Sequence, residues 1–344
     1  MIYKNEKPAI LVLQDGTFCE GIGFGATRKV RGEITFTSVP GSGSTEILSD
    51  PTFKDQIVLF TYPSIGNFGI PAHQTDEYEL LTKFESDSIH LKGIIVNEYC
   101  KMPSHYESVR TLEDWMLEND IPGIQWIDTR RLTQKFVEKG SQLGILEVLP
   151  PGKKPNIDQL KEEVKKISDP SQTHLVEKVS TKKVKTYVPN YLKGKVVIVD
   201  LGLKNNIIRT LLEKDLEVNV VPFEVTYEKL MELKPNGVLF SNGPGNPHLY
   251  QIPLALAKEL IEKGIPTMGI GLGHTIIGLA AGYEAYKMTA EHRGGRTTVE
   301  NSTNHCYITF QNHAYCLKDG DQDGFIEMYH DKDDGSNEGL IHQK

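Results

Sequence analysis

The sequence predicts an α/β protein in which a mixed β/α domain precedes a doubly wound domain with a parallel sheet. Its 344 residues are enough for two cores. The first 150 residues mix short β-rich runs with turns, whereas strand and helix patterns alternate from Lys195 onward. The stretch between them has a different composition. We therefore expect domains at 1–150 and 194–344, joined by a linker at 151–193.

In the N-terminal domain, β-branched and aromatic runs bounded by turn residues predict four strands, in "AILVLQDGTF", "GEITFTSV", "QIVLFTYP" and "KGIIVNEY". Amphipathic spacing predicts helices at about 111–119 and 129–138. Asp128 precedes the second of these and is expected to cap its N-terminus.

The linker at 151–193 carries ten Lys against five Asp or Glu and contains one amphipathic helix, "IDQLKEEVKKI". Aromatic residues, on which nucleic-acid bases would stack, are almost absent from it. We expect a solvated connection between the domains.

In the second domain, strand and helix alternate as in doubly wound proteins, whose ligands bind beyond the carboxyl ends of the strands. Two glycine-rich turns, "SNGPGNP" (241–247) and "GIGLGH" (269–274), each follow a predicted strand. We therefore expect the two turns to lie close together at one pocket.

The turn at 269–274 has the pattern of a nucleophile elbow, G-x-Nuc-x-G, with Gly269 and Gly273 flanking the apex. The N–H groups that begin the following helix would lower the pKa of a thiol at the apex and stabilise an oxyanion. The apex residue is Gly271, which has no reactive atom. Gly243 and Gly245, on either side of Pro244, are expected to supply further backbone donors.

Composition limits the function classes. With 38% hydrophobic and 24% charged residues, the chain is typical of a globular protein, and its net charge of −8 argues against a nucleic-acid or anionic-membrane partner. Its start lacks a signal-peptide pattern, and no apolar run approaches the roughly 20 residues of a membrane span. The four cysteines lack the spacing of a zinc site or disulfide framework (Cys19, Cys100, Cys306, Cys316). We expect a cytoplasmic protein without a metal.

The whole chain resembles the glutamine-amidotransferase subunit, or the equivalent fused region, of carbamoyl-phosphate synthetase. The first domain carries the resemblance in "LVLQDGT", "GEITF", "EILSDPTF", "TYPSIGN" and "DTRRLT", and the second in "VDLGLKNNIIR", "SNGPGNP", "GLGHTIIGLAAG" and "ITFQNHAY". The resemblance implies a class I glutamine-amidotransferase fold for the second domain. It also implies that an elbow Cys attacks glutamine, assisted by a later His-Pro-Glu motif, and that ammonia passes to a larger synthetase partner. ATP and Mg²⁺ are expected only in that partner, and no cofactor in this chain.

Several family positions are altered. Gly271 stands at the nucleophile, Thr275 at a substrate-binding Gln, and Ala314 at a Gly. Thr52 replaces a Ser that touches glutamine in the family, and "GSGSTE" (Gly41–Glu46) replaces a Thr-Gly-Tyr-Gln-Glu stretch. The remaining positions of the expected pocket are glycines of the second turn and neighbours of the altered residues (Gly243, Gly245, Leu272, Asn312, Tyr315). No catalytic residue is expected to be intact.

The sequence ends at "GLIHQK", about ten residues before the place where the resemblance puts the His-Pro-Glu motif, so we expect either a longer native chain or a shortened domain. For the remaining histidines, cysteines and basic residues that could carry chemistry, the sequence predicts structural roles. His274 follows the elbow and His313 lies in a predicted Q-N-H turn, and neither has an evident carboxylate nearby. The stretch "HRGGR" (292–296) is typical of an exposed basic turn, and Cys306 and Cys316 do not lie on the elbow.

Three functions remain open from the sequence. In the favoured one, the chain is the amidotransferase-like part of a synthetase fed by free ammonia, unable to hydrolyse glutamine and acting as scaffold or regulator. In the second, it is a stand-alone protein that binds glutamine or another small amide. In the third, it is an active subunit whose sequence is altered at residue 271 or cut short. The residues do not distinguish arginine, pyrimidine and urea synthesis.

Overall fold

The computed structural model describes residues 6–39, 44–320, 322 and 324–343, which form two compact units. The first unit comprises the described residues of Met1–Gln74 with Thr82–Pro170 and Thr289–Arg293. The second comprises Thr75–Leu81, Ser171–Met288 and the described residues of Gly294–Lys344. Within the described ranges, no helix is long and apolar enough to cross a membrane.

The first unit is built around a closed barrel. Its strands are β1 (Lys7–Leu13), β2 (Phe18–Gly25), β3 (Lys29–Thr37), β4 (Ile57–Phe60), β5 (Ile70–Pro71), β6 (Gly93–Ile95), β7 (Ser108–Arg110), β8 (Pro122–Gln125) and β9 (Gln142–Val148). The barrel closes in the order β1-β2-β8-β6-β4-β3-β9, and β5 pairs with β7 separately. Leu11, Ile34 and Leu146 are fully buried in its core. The four strands expected in this region are present.

Four helices belong to the first unit: α1 (Ser44–Leu48), α2 (Leu112–Glu118), α3 (Thr129–Lys139) and α4 (Ile157–Val164). The expected cap of α3 is confirmed, because a side-chain oxygen of Asp128 accepts the Arg131 N–H at 2.9 Å. Leu160 and Val164 of α4 join a buried apolar cluster with β1.

The second unit alternates strand and helix as expected. Its first strands are β10 (Lys185–Tyr187), β11 (Gly194–Asp200), β12 (Leu216–Pro222), β13 (Gly237–Phe240) and β14 (Thr267–Gly269), and its helices are α5 (Asn205–Leu212), α6 (Tyr227–Glu232), α7 (Gln251–Glu262) and α8 (Leu272–Ala280). The sheet order is β10-β12-β11-β13-β14, parallel except for β10.

Side chains of β11 alternate between the two faces of this sheet. Val197 and Val199 join the cluster that includes α7 and α8, whereas Ile198 joins the cluster that includes α5. Helices therefore cover both faces, and the doubly wound class is confirmed.

A second sheet contains β15 (Ala285–Glu300), β16 (Cys306–Leu317), β17 (Phe325–Asp331) and β18 (Asn337–His342) in the order β16-β15-β17-β18. It belongs to the second unit except for Thr289–Arg293 of β15, which group with the first. The turns expected at 292–296 and around His313 were wrong, because both segments lie inside these strands. The arginines of "HRGGR" face internal carboxylates rather than solvent: Arg293 pairs with Glu291 at 2.8 Å and Arg296 with Asp331 at 2.6 Å.

Residues 151–193 are more ordered than a solvated connection. They include α4 in the first unit and β10 in the second, where Tyr187 pairs with Val218 of β12. Val176 is fully buried in the core of the second unit.

Candidate functional site

The elbow lies between β14 and α8. Gly271 occupies the N-cap position of α8 with φ 55° and ψ −113°, a backbone conformation that residues with a side chain adopt only at a cost. The residue is exposed, whereas the Leu272 and Gly273 that follow it are buried. The chain thus makes a sharp strand-to-helix turn that presents its apex to solvent.

The three glycines of the elbow differ in the space around them. A Cβ on Gly269 would lie 2.6 Å from the backbone nitrogen of His274, and one on Gly273 would lie 2.6 Å from the carbonyl carbon of Phe240. A Cβ on Gly271 would meet nothing closer than the Cβ and Cα of Asn242, at 3.7 and 3.8 Å. The flanking positions exclude a side chain, and the apex has room for one.

The second glycine turn lies beside the elbow, as expected, because β13 and β14 are adjacent parallel strands. The Gly273 N–H donates to the Ser241 carbonyl at 3.1 Å, and the Ile270 N–H donates to the Phe240 carbonyl at 3.0 Å. These bonds fix the elbow against the end of β13.

The second turn is itself tightly packed. A Cβ on Gly243 would lie 2.8 Å from the Leu201 carbonyl carbon, and Gly245 has φ 95°. Asn242 donates from Nδ2 to the Gly202 carbonyl at 2.8 Å, while its buried Oδ1 has no partner among the described residues. Asn242 is not among the residues predicted from the sequence, although its place directly before Gly243 at a strand end is a signal for it.

The helix residues after the elbow are held inside the second unit. Thr275 is buried, and its Oγ1 donates to the Gly271 carbonyl at 3.3 Å. The Nε2 of His274 is buried with no hydrogen-bond partner in the described part of the chain. Burial lowers the pKa of His274 to about 4, so its imidazole is neutral at pH 7.

Strand β16 carries the remaining second-unit candidates. Asn312, Ala314 and Tyr315 are half-buried on it, and Leu317 of the same strand lies against Gly278 of α8. His313 has a carboxylate neighbour that was not predicted from the sequence, since Glu338 Oε2 lies 3.4 Å from its Nε2. No sequence signal indicated this pair, because it depends on how the strands of the second sheet pack.

Thr52 lies in the first unit, in a short 3₁₀ turn. Its hydroxyl donates to Asp50 Oδ1 at 2.7 Å, and the same oxygen accepts the Thr52 N–H at 2.9 Å. Of the altered stretch Gly41–Glu46, residues 41–43 lie outside the described residues.

Cys316 is not placed as a nucleophile of the elbow. It is buried on β16, donates from Sγ to the Asn337 carbonyl at 3.1 Å, and has its pKa raised to about 12, chiefly by burial. Cys306 is exposed on the same strand. Neither residue lies in the elbow.

The geometry defines a class of protein: a doubly wound domain with a nucleophile elbow after the edge strand β14 and the N-terminus of α8 at its apex. Such an arrangement can orient a reacting carbonyl and stabilise an oxyanion. At Gly271 it holds no group that could attack.

Comparison with known proteins identifies the family. Residues 11–146 match the model of the carbamoyl-phosphate synthase small chain, CPSase domain, and residues 197–344 match that of class I glutamine amidotransferases. The chain is 41% identical to the carbamoyl phosphate synthase small chain of Methanocaldococcus jannaschii over 90% of this chain and 82% of that protein. It is 39% identical to the small chain of Fusobacterium nucleatum over 97% of this chain and 89% of that one. The chain belongs to the carbamoyl phosphate synthase small chain family.

A third relative is longer. The chain is 38% identical to part of the multifunctional protein CAD of Squalus acanthias, covering 97% of this chain and 14% of that protein.

Proposed function

We propose that this chain is the amidotransferase-like subunit or region of a carbamoyl-phosphate synthetase and does not hydrolyse glutamine. It would act as a scaffold or regulator of a synthetase that uses free ammonia. The observation that carries the proposal is the glycine at the exposed apex of the elbow. Removing the nucleophile of a triad enzyme typically costs on the order of 10⁶-fold in rate.

The surroundings of the apex support a scaffold that has kept its shape. Gly269, Gly273 and Gly243 occupy positions where a side chain would collide with backbone, and α8 still begins at the apex. Thr275 and Ala314, which replace a Gln and a Gly of the family pattern, favour a lineage that no longer uses glutamine over a change at residue 271 alone. We propose that remnants of a substrate pocket remain in the second unit (Gly243, Gly245, Leu272, Thr275, Asn312, Ala314 and Tyr315). Thr52, in the first unit, is proposed as a further remnant by its family position alone.

The relatives support the proposal that the partner is a synthetase. Their names describe a small chain of carbamoyl phosphate synthase or a multifunctional protein, and this family membership supports a large synthetase subunit, or a fused synthetase region, as the partner here. We retain 1–150 and 194–344 as the two functional domains.

The decisive experiment is a glutaminase assay of the parent chain beside Gly271→Cys and Gly271→Ala. The Ala variant is the matched control, because it adds the same Cβ and backbone strain without a thiol. Each variant is also made with the family's His-Pro-Glu segment appended after Lys344. We expect no ammonia release from the parent or the Ala variant, and release from the extended Cys variant.

Activity of the parent would overturn the proposal. If no variant released ammonia but glutamine still bound, the stand-alone amide-binding function would be favoured instead. The scaffold role is tested separately, by measuring ammonia-dependent carbamoyl phosphate synthesis of a large synthetase subunit with and without the parent chain. We expect the chain to raise its rate or stability.

A further inference from the structure

The segment around β10 has a charge opposite to that of the molecule. Residues 178–195 contain six Lys and no Asp or Glu, although the chain as a whole has a net charge of −8. We propose that the surface formed by residues 182–192 docks a protein partner that presents carboxylates around an apolar centre. This proposal does not depend on whether the elbow is active.

The first support is apolar exposure. Val184, Val188, Tyr191 and Leu192 leave 53%, 59%, 75% and 62% of their surface exposed. Single exposed apolar residues are ordinary on protein surfaces, but a cluster within nine residues is typical of an interaction site. Tyrosine in particular is enriched where proteins meet.

The second support is positive charge that has no carboxylate partner. Lys193 and Lys195, just beyond this surface, pair with Asp215 at 2.6 Å and with Glu217 at 2.9 Å. For the lysines inside it, no carboxylate of the described ranges lies within ion-pair distance (Lys182, Lys183, Lys185). Lys182 Nζ donates to the Glu177 backbone carbonyl at 2.7 Å, which leaves its charge without a counter-ion in those ranges. Three positive charges beside exposed apolar groups therefore match an acidic partner.

The third support is an open sheet edge. β10 is the last strand of its sheet and, in the part of the chain that the structure describes, pairs only with β12. Its other edge offers backbone groups to an added strand. Edge lysines that only prevented such pairing would account for the charge but not for Val188, Tyr191 and Leu192. A lipid surface cannot pair with a strand edge, so the edge favours a protein.

The test measures binding of a fluorescent peptide of alternating Glu and Val to the full chain. The peptide has two controls, alternating Lys and Val and alternating Glu and Ser. The variant Lys182→Gln/Lys183→Gln/Lys185→Gln is compared with Lys101→Gln/Lys153→Gln/Lys154→Gln, three exposed lysines elsewhere in the chain. A third variant, Tyr191→Ser/Leu192→Ser, tests the apolar part. Circular dichroism checks that each variant is folded.

We expect salt-sensitive binding of the Glu-Val peptide alone, weakened at least about tenfold, or 1.4 kcal/mol, by the 182/183/185 substitutions and by the Ser substitutions, but not by the control substitutions. Absence of binding would overturn the proposal, as would equal weakening by the control variant. Tighter binding of phosphatidylserine vesicles or of a single-stranded oligonucleotide through the same three lysines would also overturn it, in favour of that ligand class.

Discussion

The apex of the elbow and its two flanks are all glycine, but the structure excludes a side chain by close packing only at the flanks. At Gly269 and Gly273 a Cβ would lie 2.6 Å from backbone atoms of neighbouring elements. At Gly271 the nearest atom is 3.7 Å away, and only the backbone conformation disfavours a side chain. The flanks are glycine because the strand, turn and helix are packed together, whereas the apex has the space that a nucleophile would occupy.

This difference teaches that the shape of the elbow and its reactive group are separable. The turn is held by hydrogen bonds from Ile270 and Gly273 to the end of β13, and none of these involves the side chain at the apex. A nucleophile can therefore be lost without loss of the fold, which is the situation that the proposed scaffold function requires.

The largest effect should come from filling a flank. Gly273→Ala forces a methyl group against the Phe240 carbonyl, where neither backbone can move without disturbing β13 or α8. We expect a loss of about 3 kcal/mol or more in the stability of the second unit. Hydrogen exchange of the α8 amides is the readout, because both tryptophans, Trp115 and Trp126, lie in the first unit and report on it alone. Unchanged protection of α8 would show that the flanks are not fixed by packing.

Acid should destabilise the elbow through His274. Its pKa in the folded chain, about 4, lies below the ordinary value of 6.5. Between these pH values the unfolded chain binds a proton at this imidazole and the folded chain does not. The stability from the neutral imidazole is complete above pH 6.5 and declines as the pH falls toward 4, by up to about 3 kcal/mol. The variant His274→Gln should not show this loss of stability at acid pH. Hydrogen exchange of the α8 amides measures it.

His90 provides the matched control in the first unit. Burial lowers its pKa to about 4 as well, and its Nε2 lies 2.8 Å from Ser86 Oγ. His90→Gln should remove an acid-sensitive part of the stability that tryptophan fluorescence reports, and leave α8 exchange unchanged at each pH. If His274→Gln left the pH dependence of α8 exchange intact, the imidazole would not be the titrating group.

The sequence predicted the backbone of the site better than its side-chain partners. Alternating apolar runs placed β13, β14 and α8, because buried strands and amphipathic helices are local patterns, and the glycine turns followed from their strand ends. The contact of His313 with Glu338 and the place of "HRGGR" inside strand β15 were missed. Both depend on how long strands that are distant in sequence pack together. In addition, the glycine and basic residues of 292–296 have the composition of an exposed turn, although they form a strand.

A side chain at the apex should cost less than one at a flank. Gly271→Ala has room for its methyl group, and its cost is the backbone strain at φ 55°, about 1–2 kcal/mol. We expect α8 exchange to show a smaller loss of stability than in Gly273→Ala. A cost equal to or above that of the flank variant would mean that the apex has no space for a nucleophile, and would weaken the proposed origin of the site.

The smallest effect should come from Thr275, one turn into α8. Its hydroxyl donates to the Gly271 carbonyl at 3.3 Å, a long bond that repeats what the helix backbone already does, since the Thr275 N–H donates to the same oxygen at 3.1 Å. Thr275→Val keeps the side-chain volume and should change α8 exchange by less than about 1 kcal/mol. A Val variant as damaging as Gly271→Ala would show instead that the hydroxyl fixes the carbonyl of the apex. The elbow would then depend on a side chain, and the separation of its shape from its side chains would fail at this residue.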